Sequence, residues 1–547
     1  MTNGAAVESI AALFSSLLAL TFVVVPLDDR PVTAQLPRLL GAVAGVRVAE
    51  PPRPLLGRYL TPGDAPALAR WLRNDAPSDA RAFVVSNDMM VYGGLVASRI
   101  PGVSRAVAYT RLQDLAAFRT TRPNASFALF GTVMRLAPTG VPKLGPAAAF
   151  PFAGGDVWGP IQTYANLPDP PKTDEQRAYA AKLRAQLGPA LDAYLDTRAR
   201  NRDVDLFALR LTAEDAFDRI ILGQDDAGPV GLHLRDLAAL RAFTARWLPP
   251  SRASIEPGAD ELAMVLVSAA LAHEAKIVPR VRVIYSRPDG GTVNDPLEFA
   301  AIATTIADLI RSCGGRQVTE VGDAPDIDLF VRVPGTTDED ERAFLDSIRI
   351  GALPLRAHSS FPTRAFKPSK PPLTGDPLVA VADLSFLDAN NYADQRRLTD
   401  DLLAHGIAGR VDAFASWNTV ANTVGTALPE AIAVLAGKML GTYDPRAHAT
   451  FTLMRYADDI AFHTDVRPKI NNDLSAQGVE DHTYLTPDVA ARTASENRAL
   501  LWPEGLDLLS RIEPQFRDAG FTITLPWDRT FETELDVHVV PKSAIVR

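Results

Sequence analysis

The chain has 547 residues, 47% of them hydrophobic and 22% charged, a balance that suits a globular protein with a sizeable core and argues against wholesale disorder. Its 56 Lys and Arg against 65 Asp and Glu give a formal charge of -9, so the basic footprint of a dedicated nucleic-acid binder is missing. The single cysteine, Cys313, excludes an intrachain disulfide framework and a zinc site built from several cysteines.

Ser9 to Leu27 carry no charge, and "ALFSSLLALTFVVV" superficially resembles a signal-peptide core. No Lys or Arg precedes it, Glu8 does, and the run passes straight into "FVVVPLDDRP" without a cleavage-type segment of small residues. Residues 1–20 therefore read as a helix or extension and Phe22–Val25 as a first buried strand. A cytoplasmic protein without integral membrane association is favoured, with export as the alternative.

Further along, short β-branched runs alternate with Ala/Leu/Arg-rich helical stretches. The expected strands are "TFVVV", "AFVVS" from Ala82, "SFALF" from Ser126, "DLFAL" from Asp205, "RIILG" from Arg219, "VRVIY" from Val281, "DLFVRV" from Asp328, "LVAVAD" from Leu378 and "VDAFAS" from Val411. This alternation predicts an α/β fold of parallel βα architecture, a distorted (β/α) barrel being favoured over an open doubly wound sheet. The catalytic α/β body is expected over 21–430. A mainly helical region over 431–547 follows, packed on the body and closing with a strand-like tail at "GFTITLPWDRTFE". Either fold places ligands beyond the carboxyl ends of its strands, so strand-end loops are the place to look for chemistry.

Polar residues recur there. After "FVVV" come Asp28, Asp29 and Arg30, stiffened by Pro26 and Pro31; neighbouring side chains of an extended segment point opposite ways, so one acid can face a site while the other orients Arg30 or an amide. After "AFVV" come Asn87 and Asp88, with Tyr92-Gly93-Gly94 beyond, where Asp88 suits either a ligand contact or a helix cap. After "RIILG" come Gln224, Asp225 and Asp226, two adjacent acids able to hold a hard cation, to share acid–base work, or simply to build a solvated turn. His233 lacks a metal-type companion. Asp383, Asn390, Trp417 and Asn418 follow later strands, and an aromatic ring beside amides fits a sugar or polyol as well as an ordinary helix start. Arg455 sits in "MRYADDIAFHTDVR", much of which also reads as a salt-laced helix.

The strings "VVVPLDDRPV", "PPRPLLGRYLTPGD", "VSNDMMVYGGLVASR", "GQDDAGPVG", "WNTVANTVGTALPE" and "LPWDRTFE" together resemble the bacterial family catalogued as domain-of-unknown-function family 4127, from about residue 20 to the tail. The resemblance brings no established reaction with it. It picks out Asp28, Asp29, Arg30, Asp88, Asp225, Asp226, Asp383 and Asn418 as family-like polar positions. Asn391, where a small glycine-like residue is usual, and the extra N-terminal segment are departures.

The function these residues suggest is a hydrolase acting on a glycosidic or polyol-containing substrate by carboxylate acid–base chemistry. Asp28, Asp88 and Asp226 are the expected catalytic acids; Asp29, Arg30, Tyr92, Gln224, Asp225, Asp383, Asn390, Trp417, Asn418 and Arg455 are expected to bind a small-molecule or saccharide substrate. No cofactor is expected. A divalent-metal hydrolase or phosphoryl-transfer enzyme using Mg, Mn or Ca is the runner-up, and a noncatalytic carbohydrate-binding or interaction protein stands third. No G-x-G-x-x-G follows a strand and no G-x-S-x-G elbow occurs, which counts against nicotinamide enzymes and serine hydrolases.

Overall fold

The computed structural model describes residues 20–138, 155–319, 323–351, 371–387 and 392–542. The expected N-terminal helix and Asn390 lie outside the described residues.

Six strands form a first, wholly parallel sheet: β1 (Thr21–Val25), β2 (Arg47–Ala49), β3 (Ala82–Ser86), β4 (Ser126–Val133), β5 (Arg219–Gln224) and β6 (Ala253–Pro257), in the order β2-β1-β3-β4-β5-β6. The β-branched runs end up here because both faces are covered. Phe22 and Val24 of β1 enter one core cluster while Val23 and Val25 enter another, and Ala82, Val84 and Phe83, Val85 of β3 divide in the same way. A strand buried on both faces needs no polar alternation, so it reads as an unbroken apolar run.

A second parallel sheet holds β7 (Arg280–Tyr285), β8 (Arg316–Gln317), β9 (Ile327–Arg332), β10 (Leu378–Asp383) and β11 (Ala413–Ala415), in the order β11-β10-β9-β7-β8. Counted from its own first strand, this is the 2-1-3-4-5 winding that also begins the first sheet, the order of an open doubly wound fold.

The expected single barrel is thus replaced by two open sheets. The helix Leu262–Glu274 leaves β6 and leads to β7, which pairs with β8 and β9 and not with β6. The helix Ile302–Ser312 packs against β6 instead, its Ser312 hydroxyl donating to Glu256 Oε2 at 3.1 Å.

"DLFAL" is also corrected. Asp205 to Leu209 belong to the helix Pro189–Ala213, which buries Leu191, Tyr194, Arg198, Asn201, Val204, Asp205, Ala208, Leu209 and Thr212. That three-and-four spacing is a helical face; five residues alone were too short to show it.

Beyond residue 430 the chain is largely helical and ends in the antiparallel pair β12 (Phe516–Thr524) and β13 (Glu534–Pro541). The helix Val420–Leu440 is long and apolar enough to cross a membrane, yet its most apolar stretch is wholly buried, against β10, β11 and the helices Leu262–Glu274 and Ile302–Ser312. It is the central pillar between the two halves. Cys313 is buried in the same core.

Candidate functional site

Residues that follow strands of both sheets meet around a cavity of about 750 Å³. The first half contributes Arg30 after β1, Arg135 after β4, Gln224, Asp225 and Asp226 at and after β5, and Asp260 after β6; the second contributes Glu298, Asn418 and Asn422. Trp527, Arg529 and Phe531, from the link between β12 and β13, wall it from the tail. A smaller cavity of about 310 Å³ adjoins it and shares Arg30, Asp260, Asn418 and Phe531.

The Asp28-Asp29-Arg30 loop divides its carboxylates as alternation requires. Asp28 lines neither cavity: its Oδ1 accepts the Arg30 backbone N–H at 3.1 Å and the Thr33 hydroxyl at 2.7 Å, while Arg30 Nη2 reaches Oδ2 at 2.9 Å. The other side of the same guanidinium grips Asp260 at 2.9 and 2.6 Å. Burial opposes the charge on Arg30, but Asp260 and Asp28 outweigh it and hold its pKa well above the ordinary arginine value. Asp29 turns away to accept the Trp527 indole N–H at 2.6 Å and faces a separate small groove.

Trp527 adopts φ +61°, a left-handed conformation unusual for a bulky residue. Tyr59 stacks on it at 5.1 Å, and the Arg30 and Arg529 guanidinium groups lie 4.7 and 4.6 Å from the ring centre. Together with the Asp29 bond these contacts over-determine the strained backbone.

Asp225 is pinned by a hydrogen bond from Arg99 at 2.5 Å. Asp226 stands more openly: its side chain is 37% exposed and Arg135 lies 3.6 Å away. Burial by the surrounding walls, then the Asp225 carboxylate, raise the Asp226 pKa to about 6 against the lowering pull of Arg135 and Arg99. Gln224 donates its amide N–H to the Val133 and Asp225 carbonyls at 3.1 and 2.8 Å, and its buried Oε1 accepts no hydrogen bond.

The floor is built from Gly258 and the start of the Val420–Leu440 helix. Gly258 has φ +99°, and a Cβ there would lie 1.9 Å from Glu261 Oε1, so no side chain fits. Asn418, at φ +57°, donates to Asn422 Oδ1 at 2.6 Å, and Asn422 in turn donates to Glu261 at 2.7 Å. Asp295 and Glu298 accept the Val420 and Ala421 amides at 3.0 and 2.7 Å, an acidic cap suited to a helix N-terminus. Burial and Asp295 push the Glu298 carboxyl up to about 8.

Other expected site residues fall elsewhere. Asp88 lines neither cavity; it lies in the first turn of the Asn87–Tyr92 helix and accepts the Thr132 N–H at 2.8 Å. Burial, opposed by Thr132 and reinforced by Asp225, raises its carboxyl to about 7. Tyr92 is buried against Arg200, 4.5 Å from its ring. Asp383 is buried near Arg332, 3.4 Å away, with the Ser385 N–H on its Oδ1. Trp417 and Arg455 line the smaller cavity. Among the described residues, no group of three or more His, Cys, Asp or Glu side chains is arranged to hold a metal ion.

Arg99, Arg135, Asp260, Glu298 and Arg529 were not singled out from the sequence. Arg529 lay within "LPWDRTFE", and Asp260 follows a strand, but "ASIEP" lacks the apolar run that marks a buried strand.

No curated protein and no solved structure matches the chain. The family model described as "Protein of unknown function (DUF4127)" matches residues 22–536, and the chain belongs to that family.

Proposed function

We propose that the protein is an enzyme that transforms a hydroxyl-rich small molecule, a glycosidic or polyol-containing compound, by carboxylate acid–base chemistry in the larger cavity. One observation carries this: Asp226 is reachable from the cavity while its pKa is raised to about 6. A group that exchanges its proton near neutral pH and can touch a substrate has the two properties a general acid or base needs.

In this proposal Asp226 gives its proton to the leaving oxygen as the C–O bond breaks, water adds to the carbon and its released proton returns to the Asp226 carboxylate, while Asp225, held by Arg99, favours the protonated form of Asp226. Asp28 acts only through Arg30, as a positioning residue, and Asp88 has no direct part. On this reading the Asn418 amide, in the wall of the larger cavity, is the group that meets a substrate hydroxyl.

The test is a screen of glycosides and polyols, with and without divalent ions or chelator, on the wild-type chain and Asp226→Asn. Turnover in the variant should fall at least about tenfold for direct proton transfer. Wild-type-like turnover in the variant would remove the proposal.

A further inference from the structure

We infer that Arg135 is a carboxylate-binding residue and that the substrate is acidic: its hydroxyl-rich unit carries a carboxylate, as a uronic acid does, gripped by Arg135 beside Asp226. This rests on the function proposed above and narrows its substrate class.

The register of the first sheet sets the two residues abreast. Val133 of β4 is paired with Gln224 of β5, and Arg135 and Asp226 each stand two residues past that pair. Both line the larger cavity. Arg135 Nη1 lies 3.6 Å from Asp226 Oδ2, an ion-pair contact beyond hydrogen-bond reach. Its Nε–H is spent on the Ala137 carbonyl at 3.2 Å. Among the described residues neither Nη group donates a hydrogen bond and neither is shut off from solvent, the side chain being 26% exposed.

The other three arginines that line this cavity are committed. Arg99 holds Asp225 at 2.5 Å, Arg30 holds Asp28 and Asp260, and Arg529 Nη2 donates to Glu532 at 2.5 Å. Once Asp226 carries the proton it is to donate, its charge no longer answers that of Arg135, and a guanidinium without a counter-charge in a part-buried wall is costly. A substrate carboxylate restores the balance, because its two oxygens match the parallel N–H groups of the arginine fork. A phosphate fits worse: it brings nearly two charges to a wall that also holds Asp225, Asp260, Glu480 and Asp481, with Arg135 left to meet them. Trp158, whose indole N–H donates to the Pro138 carbonyl at 2.8 Å, lines the same cavity and offers the C–H face of a sugar ring a surface to pack on.

The experiment measures, by calorimetry on the full chain at neutral pH, the affinity of the methyl glycosides of glucuronic, galacturonic and mannuronic acid, of their methyl esters, which are neutral and of nearly the same shape, and of the 6-phosphates of glucose, galactose and mannose. The variants are Arg135→Met, which removes the charge and the donors, and Arg135→Lys, which keeps the charge and loses the fork; circular dichroism checks each fold. At least one uronate should bind wild type about tenfold or more tightly than its ester, the worth of one charge-assisted pair, and that ratio should fall to within about twofold in Arg135→Met and lie between the two in Arg135→Lys. A uronate that gains nothing over its ester, a gain that survives Arg135→Met, or a 6-phosphate that outbinds every uronate overturns the assignment. Where Arg135→Met does not fold, a ratio in Arg135→Lys equal to that of wild type overturns it. If Asp226→Asn still silences turnover of a neutral glycoside in those cases, the proposed function stands without the acidic group. If no saccharide of either charge binds, both fall.

Discussion

Arg30 and Asp260, separated by 230 positions, meet through two hydrogen bonds of 2.9 and 2.6 Å, and Asp28 closes on the opposite side of the same guanidinium. The loops after β1 and β6 are thereby tied across the first sheet. Replacing Arg30 by Met would leave two buried carboxylates facing a neutral side chain. The expected loss is about 3–5 kcal/mol of stability, read as a fall in chemical-denaturation midpoint. Arg30→Lys should rescue only part of it, since an ammonium cannot fork to both acids.

Asp226 should shape the pH profile. As a proton donor it works only while protonated, so kcat/KM should decline as pH climbs past about 6, the value its surroundings impose. Asp226→Asn should remove that limb as well as most of the turnover, whereas a limb that persists in the variant would assign it to another group.

Asp88 should make the wild type less stable in alkali. Its folded pKa, about 7, stands above the ordinary value of 3.8, so the folded state keeps a proton that the unfolded chain releases between them. The stabilisation is complete below pH about 4 and is lost as pH rises through about 7. Asp88→Asn, which stays neutral throughout, should flatten the drop in melting temperature between pH 5 and 8. An unchanged slope would contradict the buried-acid account.

Trp527→Phe should loosen the tail. It removes the bond to Asp29 and leaves a carboxylate already discouraged by burial, for a cost of about 1–3 kcal/mol. Thermal unfolding and faster proteolysis after residue 525 would report it.

Gly258→Ala should cost more than about 1 kcal/mol, because the backbone is left-handed and the added carbon would meet Glu261 Oε1 and the Ala421 methyl group. Expression and melting temperature check it.

The sequence exposed what both faces of a sheet bury. β1, β3, β5 and β10 are runs of apolar residues because each has a core on either side, and the acids that end β1 and β5 were visible as interruptions. β6 escaped notice because Ser254 and Glu256 bond to a helix from the other half, a contact no local pattern announces. Two sheets and one barrel share the same alternation of strand and helix, so the division became visible only in the pairing of β7. Asp28 and Asp88 looked equivalent to Asp226 because each follows a strand, yet depth beneath the cavity, and not position in the chain, separates them. Arg99 follows a short helix and has no strand-end position, and Arg135, two residues past β4, stands beside no acid in the sequence; only three-dimensional proximity to Asp225 and Asp226 joins them to those acids.

Trp527, Arg529 and Phe531 wall a cavity whose acids include Asp225, Asp226 and Asp260. During synthesis on the ribosome, every strand of the first sheet emerges hundreds of residues before that wall exists. A nascent or prematurely stopped chain therefore lacks that wall, and the side of the cavity that the tail closes has nothing to shut out water.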